Sequence, residues 1–420
     1  MKKLRRNVLV VFICLLLVFV YGCSNNSNPV TPPTTITVNG HVLDTYGNPL
    51  ISPATVYIGG KTTTTTGDGS FSISSVTKPY DVYVMSSIGV FGVKGLTTAN
   101  PYLPGAINVS PTIAISVTIP QVPSGSKATI MFQDTVSGKI SGFDEILAGQ
   151  TIGSISMGGT NGQQVIGKVY VLEYIISGGV VSFYSGYAEK PLSFTFGGGA
   201  SVIFTSLSGG LGSSTVSGTV NSSGGTNLKA QLYINFGSKN NIVHRGGLIQ
   251  NIDISGNTGT FNFNVPTLTS PTPLLNVVAI TTGPPVAQRM KTVVAGSSGT
   301  VISIDTIPSL INPANNATNV DTSTEFSFTN GAGNGIHFIR LTPTGPSGKL
   351  FQIITKGTSF TIPNLSTYGY TLGSNAPYTW ADDGKLMDIN STDDFSTQFF
   401  DVNPSILGIT QSTVFNFTSK

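Results

Sequence analysis

Residues 35–73 read TITVNGHVLDTYGNPLISPATVYIGGKTTTTTGDGSFSI, and their alternation decides the fold class. Taken in twos, Ile36, Val38, Gly40 and Val42 fall on one face, and Thr37, Asn39 and His41 on the other. Ala54, Val56 and Ile58 then point one way, Thr55 and Tyr57 the other. GDGS at 67–70 is a turn signal, and Phe71 and Ile73 follow it on one face. Period-two alternation between turn residues specifies short strands with one buried and one wet face.

The same order returns later in the chain. In STVSGTV, Val216, Gly218 and Val220 stand where Val38, Gly40 and Val42 stood. Ala230, Leu232 and Ile234 take the inward places of Ala54, Val56 and Ile58, with Tyr233 outside like Tyr57. Phe261 and Phe263 of GTFNFNV match Phe71 and Ile73. The extra stretch SKNNIVHRGGLIQNIDISGN between them reads as a longer loop or an added hairpin. Self-similarity of this length predicts two copies of one sandwich module.

Composition agrees. Fifty Gly and 24 Pro are spread along 420 residues. Both interrupt helices, so long helices are excluded. The helix candidate that remains is short, GFDEILAG at 142–149. Charged residues make up 9% of the chain, against roughly 25% in average soluble proteins. Thr on pleated surfaces and Gly and Asn in turns supply the polar exterior instead.

At the N-terminus, four basic residues in MKKLRRN precede an apolar run, Val8 to Val20. That run suits a secretory core and is short for a membrane span, which needs about 20 residues. Val20-Tyr21-Gly22-Cys23 resembles the lipobox of bacterial lipoproteins. The resemblance implies cleavage before Cys23 and its lipidation, with palmitate among the attached chains. Cys14 lies in the removed segment, so Cys23 is the one mature cysteine and no internal disulfide forms. Residues 24–34, SNNSNPVTPPT, read as a polar, Pro-containing tether. The removed segment takes four of the 21 Lys and Arg and none of the 18 Asp and Glu. The mature chain is then close to neutral, and no basic patch points to nucleic acid.

The first copy resembles the carboxypeptidase regulatory-like domain, a transthyretin- or prealbumin-like β-sandwich. Gly40, Val42, Asp44, Gly47, Pro49, Leu50, Ala54, Val56, Thr66, Asp68, Gly69 and Phe71 carry the resemblance. In the second copy Ser222 and Asn227 replace Asp44 and Pro49. The resemblance implies a non-catalytic module. Residues 121–212 read as β without a family resemblance. The segment IPSLINPANNATNVDTSTEFSFTN, 307–330, resembles the start of fibronectin type III or Ig-like domains. Leu372 and Tyr378 have the spacing of a tyrosine corner, whose hydroxyl bonds nearby backbone, and Trp380 follows on the same face.

The expected architecture is therefore all-β, with tandem β-sandwich domains after a lipoprotein signal peptide. The segments are 1–22 (signal), 23–34 (lipidated tether), 35–120, 121–212, 213–306 (repeat of the first) and 307–420 (fibronectin type III/Ig-like). His41, His244 and His337 fall in different segments, and no GxSxG, HExxH, CxxC or P-loop pattern occurs. No catalytic residue and no cofactor is expected. His41 reads as a solvent-facing strand residue and His244 as a loop residue. Asp382, Asp383, Asp388, Asp393 and Asp394 crowd into DDGKLMDINSTDDF and are the calcium candidates, although their spacing is not that of an EF-hand. The function expected is a lipid-anchored cell-envelope scaffold or binding module for glycan, peptide or envelope protein. The alternative is an accessory subunit of an extracellular hydrolase, or a cryptic hydrolase in 121–212. In a Gram-negative cell, Ser24 after the Cys resembles lipoproteins sent to the outer membrane. An exposed cleft lined by aromatics with Asp or Asn would favour glycan binding.

Overall fold

The computed structural model describes residues 35–44, 47–50, 52–105, 112–138, 140–159, 161–223, 227–236, 246–282, 286–331, 333–387, 389–398 and 408–420. Residues 36–420 form one compact unit. Cys23, His244 and Asp388 lie outside the described residues.

The first segment contributes β1 (Thr35–Leu43), β2 (Thr55–Ile58), β3 (Lys61–Thr64), β4 (Ser70–Thr77), β5 (Tyr80–Met85), β6 (Gly89–Leu96) and β7 (Tyr102–Pro104). One sheet has the order β4-β1-β7, and the facing sheet runs β3-β2-β5-β6. Val38, Val42, Val56, Ile58, Phe71, Ile73, Val82 and Val84 are all buried in the core between them. The turn before β4 is built as its sequence dictates. Gly69 has φ +81°, and the Asp68 carboxylate accepts from the Thr66 hydroxyl at 2.5 Å and from Ser70 N–H at 3.0 Å. The Thr66 bond, followed by those from Ser70, holds the Asp68 carboxyl well below the usual range.

The third segment has the same strand order. Its strands are β15 (Ser208–Ser222), β16 (Leu228–Asn235), β17 (Gly247–Ile254), β18 (Thr258–Thr267), β19 (Leu274–Thr281), β20 (Ala287–Val293) and β21 (Thr300–Ile304). Here β18-β15-β21 corresponds to β4-β1-β7, and β17-β16-β19-β20 to β3-β2-β5-β6. The third strand is parallel to the first in both, β7 to β1 and β21 to β15. The central glycine also recurs. A Cβ on Gly40 would sit 2.5 Å from the Phe71 ring and 2.7 Å from the Pro101 carbonyl oxygen. A Cβ on Gly218 would sit 2.8 Å from the Phe261 ring and on top of the Thr300 carbonyl oxygen. Each glycine lets a ring lie across the first strand while the parallel strand closes in. Val56 and Leu232 are fully buried in two different cores.

β8 (Thr112–Thr118), at the end of 35–120, joins the strands of the second segment, β9 (Ser126–Asp134), β10 (Ser141–Leu147), β11 (Ile152–Gly158), β12 (Gln164–Ser177), β13 (Val180–Thr195) and β14 (Ala200–Ile203). The sheet β11-β8-β14 faces the strands β10-β9-β12-β13 across an Ile- and Val-rich core. The helix expected at GFDEILAG is instead β10, paired along its whole length with β9. Only Ile146 of that stretch is buried, and the ladder to β9 outweighs a helix too short to bury a face.

The last segment holds β22 (Leu310–Asn312), β23 (Ala317–Val320), β24 (Phe326–Phe328), β25 (Ile336–Pro343), β26 (Leu350–Thr355), β27 (Ser359–Phe360), β28 (Pro377–Leu386), α1 (Thr392–Gln398), β29 (Gly408–Thr410) and β30 (Phe415–Ser419). The sheet β22-β24-β27 faces β23-β30-β28-β25-β26. Trp380 is buried edge-on to Phe326, 5.3 Å between centroids. Tyr378 is buried and its hydroxyl does bond backbone, but 29 residues upstream: it accepts from Lys349 N–H at 2.9 Å and donates to Lys349 carbonyl at 3.1 Å. The partner is therefore across the sheet, not the Leu372 corner that the spacing suggested.

Strands also pair between segments. β6 pairs in parallel with β26, which joins the first and last segments into a nine-stranded sheet. β29 adds to β20, the strand equivalent to β6. The N-terminal end of β15 pairs with β13 and its C-terminal part with β18. The cores follow the pairing: Ile336, Ile354, Leu386 and Phe395 pack with the first segment's core, and Met131, Tyr170 and Tyr174 with the third's.

Candidate binding cleft and buried charge network

The outer faces of β2 and β5 carry Tyr57 and Tyr83, which stand opposite one another in register. Their rings are 6.3 Å apart. Because β26 docks beside β6, the last segment supplies a wall. Thr361 and Pro363 stand across from the tyrosines, and Tyr368, 40% exposed, meets Tyr57 edge-on at 6.2 Å. The result is a cleft of about 530 Å³.

Its polar groups are held in place. Lys94 Nζ is 2.5 Å from Asp81 Oδ2 and 3.4 Å from the Tyr83 hydroxyl. Asp81 Oδ1 accepts from Gly95 N–H at 2.9 Å. Lys61 Nζ donates to the carbonyls of Ser74 and Ser75 at 2.7 and 2.9 Å. Burial, with Asp81 adding, pushes the Tyr83 hydroxyl far above its ordinary pKa, so it stays a neutral donor. A smaller hollow of about 350 Å³ lies on the other sheet beside His41. There His41, half-buried, stacks on Tyr102 at 5.2 Å.

The third segment treats the same face differently. Tyr233, expected outside, does lie opposite the Leu232 face, yet it is buried against Val278 and Met290 in a cluster of its own. The outer face there is packed, not wet.

Asp382, Asp383, Asp393 and Asp394 each have a different surrounding. Asp382 is fully buried, with Oδ2 2.5 Å from His337 Nδ1 and Oδ1 accepting from Gly384 N–H. Asp383 pairs with Arg340 through two contacts, 2.6 and 3.1 Å. Asp393 accepts from the N–H groups of Thr97 and Thr98 at 2.8 and 3.0 Å and from the Thr97 hydroxyl. Asp394 is in the first turn of α1, its N–H on Ser391 Oγ. Among the described residues, no three His, Cys, Asp or Glu are grouped to hold a metal ion.

One constellation escaped the sequence reading. His337 on β25 and Asp382 and Lys385 on β28 are all fully buried. His337 Nε2 is 2.9 Å from Asn330 Oδ1, and Lys385 Nζ donates to the carbonyls of Asn330 and Gly333 at 3.0 and 2.6 Å. Burial pushes the Asp382 carboxyl up against the opposing pull of His337, and burial lowers the Lys385 ammonium. This is not a hydrolytic triad. A triad aims the base at a nucleophile, whereas His337 aims at an amide, and the nearby Ser412 hydroxyl donates to Thr413 carbonyl. The network fastens Asn330 and Gly333 onto β25 and β28. Its one sequence signal was a histidine between apolar residues in the strand IHFIRL.

No family model matches the sequence, and no curated protein does. Solved structures align with it at low similarity. A tetra-tandem repeat from the extending region of a large adhesion protein is 12% identical, covers 92% of this chain and 100% of its own, with a TM-score of 0.17. A Ca2+-stabilised, ice-binding adhesin of an Antarctic bacterium is 10% identical, covers 92% and 99%, with a TM-score of 0.13. A leucine-rich repeat protein from Bacteroides thetaiotaomicron is 11% identical over 46% of this chain and 26% of its own, with a TM-score of 0.18. At these scores the pairs share no overall arrangement and carry no argument. What stands is an all-β chain of several discrete sheets.

Proposed function

We propose that the chain is lipidated at Cys23 and displayed on the cell envelope, in the outer membrane of a Gram-negative cell, as a non-catalytic binding scaffold. Residues 24–34 hold the folded part off the bilayer. Segments 35–120 and 213–306 serve as two copies of one prealbumin-like module, with 121–212 between them and a fibronectin type III/Ig-like segment, 307–420, closing against both. The observation that carries this reading is the use made of the ionisable groups. The buried His337, Asp382 and Lys385 all have structural partners, while the open, tyrosine-lined cleft is shaped to receive a ligand. Such a chain binds without reacting.

The test begins with Cys23→Ala. Wild type should label metabolically with a palmitate analogue and fractionate with outer membranes, and the variant should lose both. Labelling that survives in the variant, or wild type found in inner membranes, would refute the anchoring. Residues 24–420, the mature chain without Cys23, should also be retained on isolated envelopes; failure to be retained would sink the binding role.

A further inference from the structure

We infer that the cleft between β2–β5–β6 and the last segment is a saccharide site, with Tyr57 as the stacking surface and the Asp81–Lys94 pair as the hydroxyl-reading group. The inference rests on the reading of the chain as a binding module and names its ligand class.

The internal repeat supplies the first argument, because it shows what the same strands look like without a cleft. Strand register puts Asn276 at the place of Tyr83, and Gly247 at the place of Lys61. One step along the paired strands from Val82–Val93 and Leu275–Val293, Leu274 and Val294 occupy the places of Asp81 and Lys94. Tyr233 keeps the place of Tyr57 but is buried under Met290 and Val278. The fold therefore does not require an ion pair or a second tyrosine there. The first module holds two ammonium groups, one carboxylate and three phenols around a hollow where the third has Tyr233 packed against Met290 and Val278, Asn276 buried and Val294 exposed.

The second argument is chemical. A site of 300–1,000 Å³, by rough survey, takes a small ligand, and this cleft lies in that range. Tyrosine presents an apolar ring and a polar tip, which suits a pyranose with C–H groups on its faces and hydroxyls round its edge. Asp81 as acceptor and Lys94 as donor, 2.5 Å apart, can bond two adjacent hydroxyls. Gly95 N–H fixes the carboxylate and the Tyr83 hydroxyl meets the ammonium, so little side-chain freedom is lost on binding. An extended peptide is a poorer match. It would need a free strand edge; the floor of the cleft is a sheet face whose β2, β5 and β6 are each paired on both sides, and the edge strand β3 adds only Lys61 to the lining. The cleft is open at the surface, so it fits the end or a stretch of a longer glycan.

The test uses residues 24–420, the mature chain without Cys23, on an array of soluble neutral and uronic-acid oligosaccharides. Wild type should be retained by at least one class. Tyr57→Ala and Asp81→Asn should each weaken that retention about tenfold or more, while His41→Ala on the opposite sheet leaves it unchanged. Unaltered thermal unfolding of Asp81→Asn keeps the comparison about binding. Retention that ignores Tyr57→Ala and Asp81→Asn, or that falls with His41→Ala, overturns the site. Retention on isolated envelopes with none on any oligosaccharide overturns the ligand class and leaves the binding role standing. Retention on neither overturns both.

Discussion

Gly40→Ala tests the packing that both modules share. The new methyl must clear the Phe71 ring, 2.5 Å away, and the Pro101 carbonyl oxygen, 2.7 Å away. A carbon rests about 3.3–3.6 Å from a carbonyl oxygen, so β1 and the 99–101 stretch must part by somewhat under 1 Å. Two backbone bonds flank the glycine there, Asn39 N–H to Ala99 O at 2.8 Å and His41 N–H to Pro101 O at 2.9 Å. Stretched that far they leave the bonding range of about 2.7–3.2 Å, a loss of roughly 1 kcal/mol each. Displacing the ring adds overpacking of about 1–3 kcal/mol, offset by roughly 0.5–1 kcal/mol because alanine loses less backbone freedom than glycine. The net expectation is a loss of about 2–4.5 kcal/mol, read as a urea midpoint lowered by about 1 M or more in the mature chain by far-ultraviolet circular dichroism. Phe71→Leu should rescue part of it, because it removes the nearest atoms; the pair should fall short of additivity by about 1 kcal/mol. Gly218→Ala should not be rescued by Phe261→Leu, because there the Thr300 carbonyl is the first obstacle. A Gly40→Ala midpoint unchanged within about 0.5 kcal/mol, the range of surface substitutions, or full additivity with Phe71→Leu, would refute the reasoning.

Two further outcomes are expected. His337→Ala leaves the Asp382 carboxyl buried without its partner and should cost about 3–5 kcal/mol, whereas His337→Phe with Asp382→Leu should cost less than either single change; additive losses in denaturant unfolding would contradict this. Asp393 is held below its usual pKa because, although burial raises it, the bonds from Thr97 and Thr98 outweigh burial. A lowered carboxyl contributes stability that is present above the unfolded pKa of about 3.9 and lost as pH falls below it. Hydrogen exchange at the Thr97 and Thr98 amides should therefore accelerate in acid beyond the intrinsic rate, and Asp393→Asn should remove that pH dependence.

The tyrosines show how far side-chain alternation carries a reading. Alternation put Tyr57 and Tyr233 on the faces opposite Val56 and Leu232, and it was right about both faces. It was silent on what lies over those faces. One is covered by Met290 and Val278, and the other opens on a cleft walled by residues some three hundred positions away. The Asp-rich stretch shows the same limit of a local reading. Neighbours on a strand point to opposite sides, so Asp382 turns inward to His337 and Asp383 outward to Arg340.

The sequence by itself determined the class of element, the register of the buried faces and the turn at Asp68-Gly69. These depend on contacts a few residues long: period-two alternation, a left-handed glycine, a short polar side chain capping its own turn. It also contained the Val–Gly–Val and Ala–hydrophobic–Ile patterns that occupy equivalent strands in the two segments. Only the tertiary structure decided that β6 takes β26 and β20 takes β29 as neighbours, and that His337 meets Asp382 and Lys385. A sheet edge offers the same row of N–H and C=O groups to any strand. Which strand fills it is settled by the burial of surface from distant parts of the chain, and no local pattern encodes that choice.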